Sequence, residues 1–373
     1  MAEVRFENVS KMYGLKRAVS NASFDCKDGE FFSITGPAGA GKTTILKMLA
    51  GIEKVTSGEI YIDGRPVNKL PPQDRDVAMA FETYNLYPHF SVYENIAFPL
   101  RAPKRKESLS QEEERQRVEE IADFLGIREL LGRRPVQLSG GEKQRVSLAR
   151  VMVRKPKVYL LDEPIAHLDA RLKFSTQTAL KRLSSQIGTT IIYVTHDYRE
   201  ALGLSNRVAV LRKGVVEQIG TPEEVFHAPS SDFVARFIGD PPANLIDGEI
   251  ITQNKKTFFS PGDEFRIEIR ENLIESAEKA ASREGDKHLV RLGIRSSHIK
   301  VSREKISDSS FQLPVYAMAR SPQGPVCTFE LRDCFLQANV VEGVQYQISE
   351  KVWLDFDQDR MLFFEKTMDI SKA

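Results

Sequence analysis

Gly36-Pro37-Ala38-Gly39-Ala40-Gly41-Lys42-Thr43-Thr44 decides the fold of the first half of this chain. The segment fits G-x-x-x-x-G-K-[ST], and its flanks supply the context that pattern requires. Glu30–Thr35 predicts a strand before it, and Lys42–Leu49 predicts a helix after it. Each residue type has a physical reason. Small side chains from Gly36 to Gly41 let backbone N–H groups approach phosphate oxygens, and the helix start at Thr43-Thr44 adds positive potential. Lys42 reaches β/γ oxygens, and the Thr43 hydroxyl suits Mg²⁺.

Lys157–Leu161 and Thr189–Thr195 are compact apolar runs suited to buried parallel strands. The first ends in Asp162-Glu163, which places two carboxylates at the C-terminal sheet edge beside the phosphate loop. A strand ending in two acids also reads as a solvated turn. Beside a phosphate loop, Asp162 is expected to hold Mg²⁺ and Glu163 to polarise an attacking water. His196 emerges at the end of the next strand, where an imidazole reaches a γ-phosphate. The other five histidines are read as structural or surface residues.

The chain has 373 residues, a length that suits two to three domains. Its 53 Lys+Arg and 52 Asp+Glu give a net charge of +1, so total charge singles out no partner. Cys26, Cys327 and Cys334 are too few and scattered for a disulfide framework or a Cys-x-x-Cys metal site. The opening residues enter a strand-like alternation without the apolar segment of a signal peptide, which argues against export. No run approaches the roughly 18 to 20 apolar residues of a membrane span.

Residues 1–238 read as an α/β unit with a helical insertion at about 85–155, where Val118, Ile121, Ala122 and Leu125 recur at helical spacing. After Phe237-Ile238-Gly239-Asp240-Pro241-Pro242 the apolar period becomes two, as in Phe265–Ile269 and Val326–Leu331, so 239–373 reads as a small β domain. No internal repeat is found.

Leu138-Ser139-Gly140-Gly141-Glu142-Lys143-Gln144-Arg145 opens a further helix, predicted over Glu142–Val153. Ser139, Gly140, Gly141 and Glu142 make its start a second anion site, or simply a helix cap. One nucleotide does not need two such sites in one subunit, whereas a nucleotide sandwiched between two subunits does.

With this segment in place the motif set resembles the ATP-binding-cassette (ABC) ATPases. The resemblance implies a P-loop α/β fold, Mg²⁺-dependent ATP hydrolysis, and a dimer in which Ser139–Glu142 of one subunit closes over ATP held by the other's Gly36–Thr44 loop. It also implies that Tyr13 stacks on adenine, although an aromatic there equally suits packing. Ile165-Ala166-His167-Leu168-Asp169 is similar to the family's D-loop, and Phe81–His89 to its Q-loop. Two positions depart from the pattern: Glu82 stands where the family has Gln, and His167 where a small polar residue is usual. Glu82 adds a carboxylate able to ligate Mg²⁺ and repel phosphate. Both departures lie in coupling loops and leave open a nucleotide-binding partner in a heterodimeric ATPase pair.

The 97 residues from Lys42 to Ser139 are too few for the coiled coil of cassette-type repair ATPases, and the single cassette argues against translation factors. The C-terminal region resembles the OB-like regulatory domains of sugar-importer ATPases of the maltose type, as does Leu86-Tyr87-Pro88-His89…Val92-Tyr93-Glu94-Asn95-Ile96. Residues 241–373 carry 18 Lys+Arg against 21 Asp+Glu, the wrong sign for nucleic acid. The aromatics Phe258, Phe259, Trp353 and Phe356 are read as core. The resemblance thus implies the ATPase subunit of an importer at the cytoplasmic face of the membrane, homodimeric or heterodimeric. It would dock on transmembrane permease subunits and serve, indirectly, an extracytoplasmic solute-binding protein. The implied cargo is a sugar, polyol or glycerol-type compound, with iron or polyamine as alternatives.

Overall fold

A computed structural model describes residues 2–101, 109–166, 168–262, 265–284, 287–321, 324–332 and 334–366; His167 lies outside them. The chain divides into two units, Met1–Pro222 and Glu223–Ala373. In chain order the first comprises β1 (Val4–Tyr13), β2 (Lys16–Cys26), β3 (Phe31–Thr35), α1 (Lys42–Ala50), β4 (Ser57–Ile62), β5 (Arg65–Pro66), β6 (Val77–Ala80) and α2 (Val92–Ala97). There follow α3 (Gln111–Phe124), α4 (Gly140–Met152), β7 (Val158–Asp162), α5 (Ala170–Ile187), β8 (Thr190–Thr195), α6 (Tyr198–Leu204), β9 (Arg207–Arg212) and β10 (Val215–Gly220).

The main sheet runs β10-β9-β3-β8-β7-β6, parallel except for β10 against β9. Alternation along its strands sorts two cores. Phe31, Tyr159, Leu161, Ile191 and Tyr193 face one side, where they meet Val92 and Ile96 of α2, Val118 and Ala122 of α3, and Val146 and Ala149 of α4. Phe32, Ile34, Val158, Leu160 and Val194 face the other, against Ile45, Leu46 and Leu49 of α1 and against Val4, Phe6, Ile60 and Ile62. The last four belong to a separate antiparallel sheet, β2-β1-β4-β5. Local pattern identifies β1 as a strand but carries no sign of its pairing with β4 some fifty residues later. Strand register fixes the site. Thr35 pairs with Thr195 and Asp162 with Val194, so three strands end at one edge.

The second unit comprises α7 (Pro222–His227), α8 (Asp232–Phe237), β11 (Asn244–Gln253), β12 (Lys256–Gly262), β13 (Phe265–Glu268), α9 (Glu271–Ala280), β14 (Ser282–Glu284) and β15 (Lys287–Ile294). It continues with β16 (Ile299–Ser302), β17 (Phe311–Ser321), β18 (Gly324–Leu331), β19 (Cys334–Asn339), β20 (Lys351–Phe356) and β21 (Leu362–Phe364). One sheet is β13-β12-β11-β15-β14 with β21 on β15, and the other is β16-β20-β17-β18-β19. Their inner faces share one core that includes Phe259, Leu292, Phe329, Leu354 and Phe356. Phe258 and Trp353 are half-buried. The β-rich character is as expected; the helix α9 is an addition to it.

The division at 222/223 falls sixteen residues before the expected 238/239, and Arg295 supplies the reason. Its buried guanidinium donates to the carbonyls of Phe226 (2.5 and 3.2 Å), Ala235 (3.5 Å) and Ile238, and lies 3.9 Å from the Phe226 ring centroid. Arg291 adds an ion pair to Asp232 at 2.5 Å. Both helices before the Pro241-Pro242 pair are thereby fastened to the β unit.

Candidate active site

The phosphate loop joins β3 to α1. Gly41 has φ +105, and a Cβ there would lie 2.5 Å from the Ala18 carbonyl oxygen, so only glycine fits. Pro37, Ala38 and Gly39 are exposed while Gly36 and Ala40 are buried, leaving the loop's crest open. No side chain caps the first turn of α1. Its amides therefore present the partial positive charge of a helix start. Lys42, only 7% exposed, donates from Nζ to the carbonyls of Gly36 (2.8 Å) and Pro37 (3.0 Å). Burial lowers its pKa, and the charges of Glu163, Asp162 and Glu82 oppose that shift.

Asp162 and Glu163 stand at the end of β7. The Thr43 hydroxyl donates to Asp162 Oδ1 at 3.1 Å. Burial pushes the Asp162 carboxyl up to about 6, aided by the negative charges of Glu163 and Glu82 and opposed by the Thr43 bond. Glu163 leaves the strand at φ +49, a left-handed conformation unusual for a non-glycine residue. Its N–H donates to the Val194 carbonyl at 2.9 Å, and its Oε2 lies 2.6 Å from His196 Nδ1. The histidine is 62% exposed, so its ring edge is open to solvent. Lys42, Thr43, Asp162, Glu163 and His196 thus meet at one sheet edge.

The remaining candidates stand apart from that cluster. Ser139 caps α4, its Oγ accepting from the Glu142 N–H while the Glu142 carboxylate accepts from the Ser139 N–H. Ser139 and Gly140 are exposed, and Gly141 half-buried. Tyr13 is 43% exposed, with the Lys11 ammonium 4.7 Å from its ring centroid. Exposed Glu82 exerts its charge on Lys42 and Asp162 but, among the described residues, hydrogen-bonds to neither. Asp169 caps α5 by accepting from the Leu172 N–H at 3.0 Å.

Three further residues matter that sequence reasoning missed. Gln144, one turn into α4, donates from Nε2 to the Glu163 carbonyl at 3.0 Å. Arg150, further along α4, donates to the carbonyls of Tyr84 (3.1 Å) and Asn85 (2.7 Å). Asn95, fully buried, accepts from the Tyr87 N–H and donates to the carbonyls of Tyr87, Phe90 and Ser91. A polar residue inside a predicted helix was the available signal for Gln144, and one inside the predicted helical insertion for Asn95; the partner was not legible in either case.

The ABC transporter family profile matches residues 19–166, from β2 through the phosphate loop, α4 and the Asp162-Glu163 corner. The chain is 38% identical over its whole length to the sulfoquinovosyl glycerol transport ATP-binding protein SmoE of Agrobacterium fabrum, spanning 99% of that relative. It belongs to the ABC transporter family. The trehalose/maltose import ATP-binding protein MalK of Thermococcus litoralis is 47% identical over 74% of this chain and 73% of its own length. The sn-glycerol-3-phosphate import ATP-binding protein UgpC of Bordetella avium is 43% identical over 82% of this chain and 81% of its own. Among solved structures, a dimer of the ATP-binding cassette MJ0796 in a post-hydrolysis state with ADP and Pi matches with TM-score 0.56 and 33% identity. That match covers 59% of this chain and 98% of the other. The chain is an ABC ATPase, and the cluster around Lys42 lies within the cassette that binds ATP.

Proposed function

We propose that this ABC ATPase powers the import of a sugar, polyol or glycerol-type solute through separate transmembrane subunits. The observation that carries the reading is the match over the full chain, second unit included, to a transport ATP-binding protein for a sugar-glycerol compound. The maltose-type and glycerol-phosphate-type relatives support the same cargo class.

In this reading the amides of Gly36–Thr44 and the Lys42 ammonium stabilise charge on the phosphates. Glu163 takes the proton of the attacking water, and His196, held 2.6 Å from Glu163, contacts the γ-phosphate. Tyr13 stacks on adenine with its exposed ring. Mg²⁺ fits the oxygens present: the Thr43 hydroxyl, the Asp162 carboxylate, whose pKa is raised by burial first and then by the charges of Glu163 and Glu82, and Glu82 itself. Among the described residues no cluster of three acidic, His or Cys side chains would hold a metal alone, as suits an ion completed by phosphate oxygens. When bound, Mg²⁺ neutralises charge on the β- and γ-phosphates.

Ser139–Glu142 complete the partner subunit's site, so the working unit is a dimer. The dimeric ADP-bound cassette supports this arrangement. Tyr87 (41% exposed), Phe90 and Phe98 (44%) form an aromatic ridge with ring centroids 4.8 to 5.8 Å apart, beside the loop that carries Glu82. That ridge receives the permease, which places the chain peripherally at the cytoplasmic face. Among the described residues no helix is long and apolar enough to cross a membrane.

Purified Glu163→Gln protein tests the dimer. Light scattering is expected to show ATP converting it from monomer to dimer, with Lys42→Ala or Ser139→Phe preventing the conversion. ATP-dependent uptake into vesicles bearing the chain and its permease, compared between maltose-type sugars, glycerol 3-phosphate, iron and polyamines, tests the cargo. Uptake of only the last two overturns the cargo class.

A further inference from the structure

Helix α4 touches two places whose roles differ. Its N-terminus carries Ser139, and one turn later the side chain of Gln144, 4% exposed, donates to the carbonyl of Glu163 at 3.0 Å. The acceptor sits on a corner that needs support. Glu163 has φ +49, and a long side chain holds that conformation only where its surroundings fix it. The support comes from both sides of the residue: its N–H donates to the Val194 carbonyl at 2.9 Å, and its C=O accepts from Gln144 at 3.0 Å and, more weakly, from the Ala166 N–H at 3.4 Å. Together these bonds set the peptide planes that aim the Glu163 carboxylate, which is 12% exposed and 2.6 Å from His196 Nδ1.

We infer that Gln144 is a positioning residue for Glu163, so that the helix whose start grips the partner's nucleotide also sets the general base of its own subunit. The inference rests on the roles proposed above for Glu163 and Ser139. Gln144 lies five residues after Ser139, a rise of about 7.5 Å on a stiff element. A displacement of the helix start therefore reaches the Gln144 amide with little loss. A shift of about 1 Å takes a 3.0 Å bond out of hydrogen-bonding range, and misplacement of a catalytic group by that distance costs about a hundredfold in rate. Two ATP sites are thereby linked through one chain: capture of the partner's nucleotide at Ser139 fixes the helix whose Gln144 holds the Glu163 corner.

Steady-state ATPase kinetics of the full-length dimer test this. Gln144→Met removes the donor at similar volume, and Gln144→His keeps an Nε2–H at similar reach. The expected result for Met is a kcat lowered by at least about tenfold with KM for ATP within about twofold, and for His recovery of most of the loss. Ser139→Ala and Gln144→Met combined are expected to cost little more than the worse single change, because both act on one linkage. Equal losses in the Met and His variants, a raised KM at unaltered kcat, or fully multiplicative costs overturn the inference. Should the Met variant fail to fold by thermal melting, Gln144→Leu, which likewise lacks the donor, is read against His in its place. Glu163→Gln measured alongside separates the two levels. If it keeps kcat, the role of Glu163 falls; if it loses kcat while Gln144→Met does not, the positioning role alone falls.

Discussion

At the scale of single residues the site is a balance of charge about Lys42. Asp162 is an ionisable group placed where its charged form is disfavoured, since burial pushes its carboxyl from 3.8 to about 6. The sign follows from proton uptake. Native Asp162 binds its proton more tightly than the unfolded chain does, so its contribution is fully present below about pH 4 and is lost as pH rises through about 6. At pH 8, without nucleotide and with a chelator present, Asp162→Asn should therefore stabilise the first unit. The expected gain is on the order of 3 kcal/mol, fading below about pH 4, by urea unfolding followed with circular dichroism. The same substitution should abolish hydrolysis. An unaltered stability at pH 8 would show that Asp162 is compensated in the free protein. That Lys42, Thr43, Asp162, Glu163 and His196 come together was legible in the sequence, because each stands at a strand end or a helix start that the apolar pattern marks. Gln144, Arg150 and Asn95 were not, because each acts on a backbone carbonyl, and a carbonyl has no identity in a sequence.

Elements follow the same division. Strands β3, β7 and β8 and helices α1 and α4 could be read to within two residues, because burial on both faces or on one stripe dictates their composition. What escaped was long-range pairing: the β2-β1-β4-β5 sheet, and the attachment of α7 and α8 to the second unit through Arg295. A Pro-Pro pair looks like a hinge, yet the fastening guanidinium lies 53 residues beyond it. Arg295→Ala leaves the buried carbonyl of Ile238 and the half-buried carbonyl of Phe226 without this donor and should destabilise the second unit by about 3 kcal/mol. Trp353, the sole tryptophan, lies in that unit, so its fluorescence during urea denaturation reports the change. A midpoint equal to that of the unaltered protein would contradict the role given to Arg295.

For the whole molecule, hydrolysis has to be coupled to a membrane partner, and the exposed ridge of Tyr87 and Phe98 provides a place to separate the two functions. Tyr87→Ser with Phe98→Ser should leave the ATPase activity of the isolated chain within about twofold while reducing co-purification with the permease at least about tenfold. Retained co-purification would move the docking surface elsewhere. Glu82 sets a charge that acts on Asp162 and Lys42, in the loop that Arg150 and Asn95 anchor. Everything at this scale depends on the chain hydrolysing ATP through Glu163. The most direct test is the steady-state ATPase rate of the purified chain at saturating Mg²⁺-ATP, with and without Glu163→Gln. A rate that falls at least about a hundredfold in the variant while ATP affinity is retained is the predicted result. Equal rates in the two proteins would contradict it.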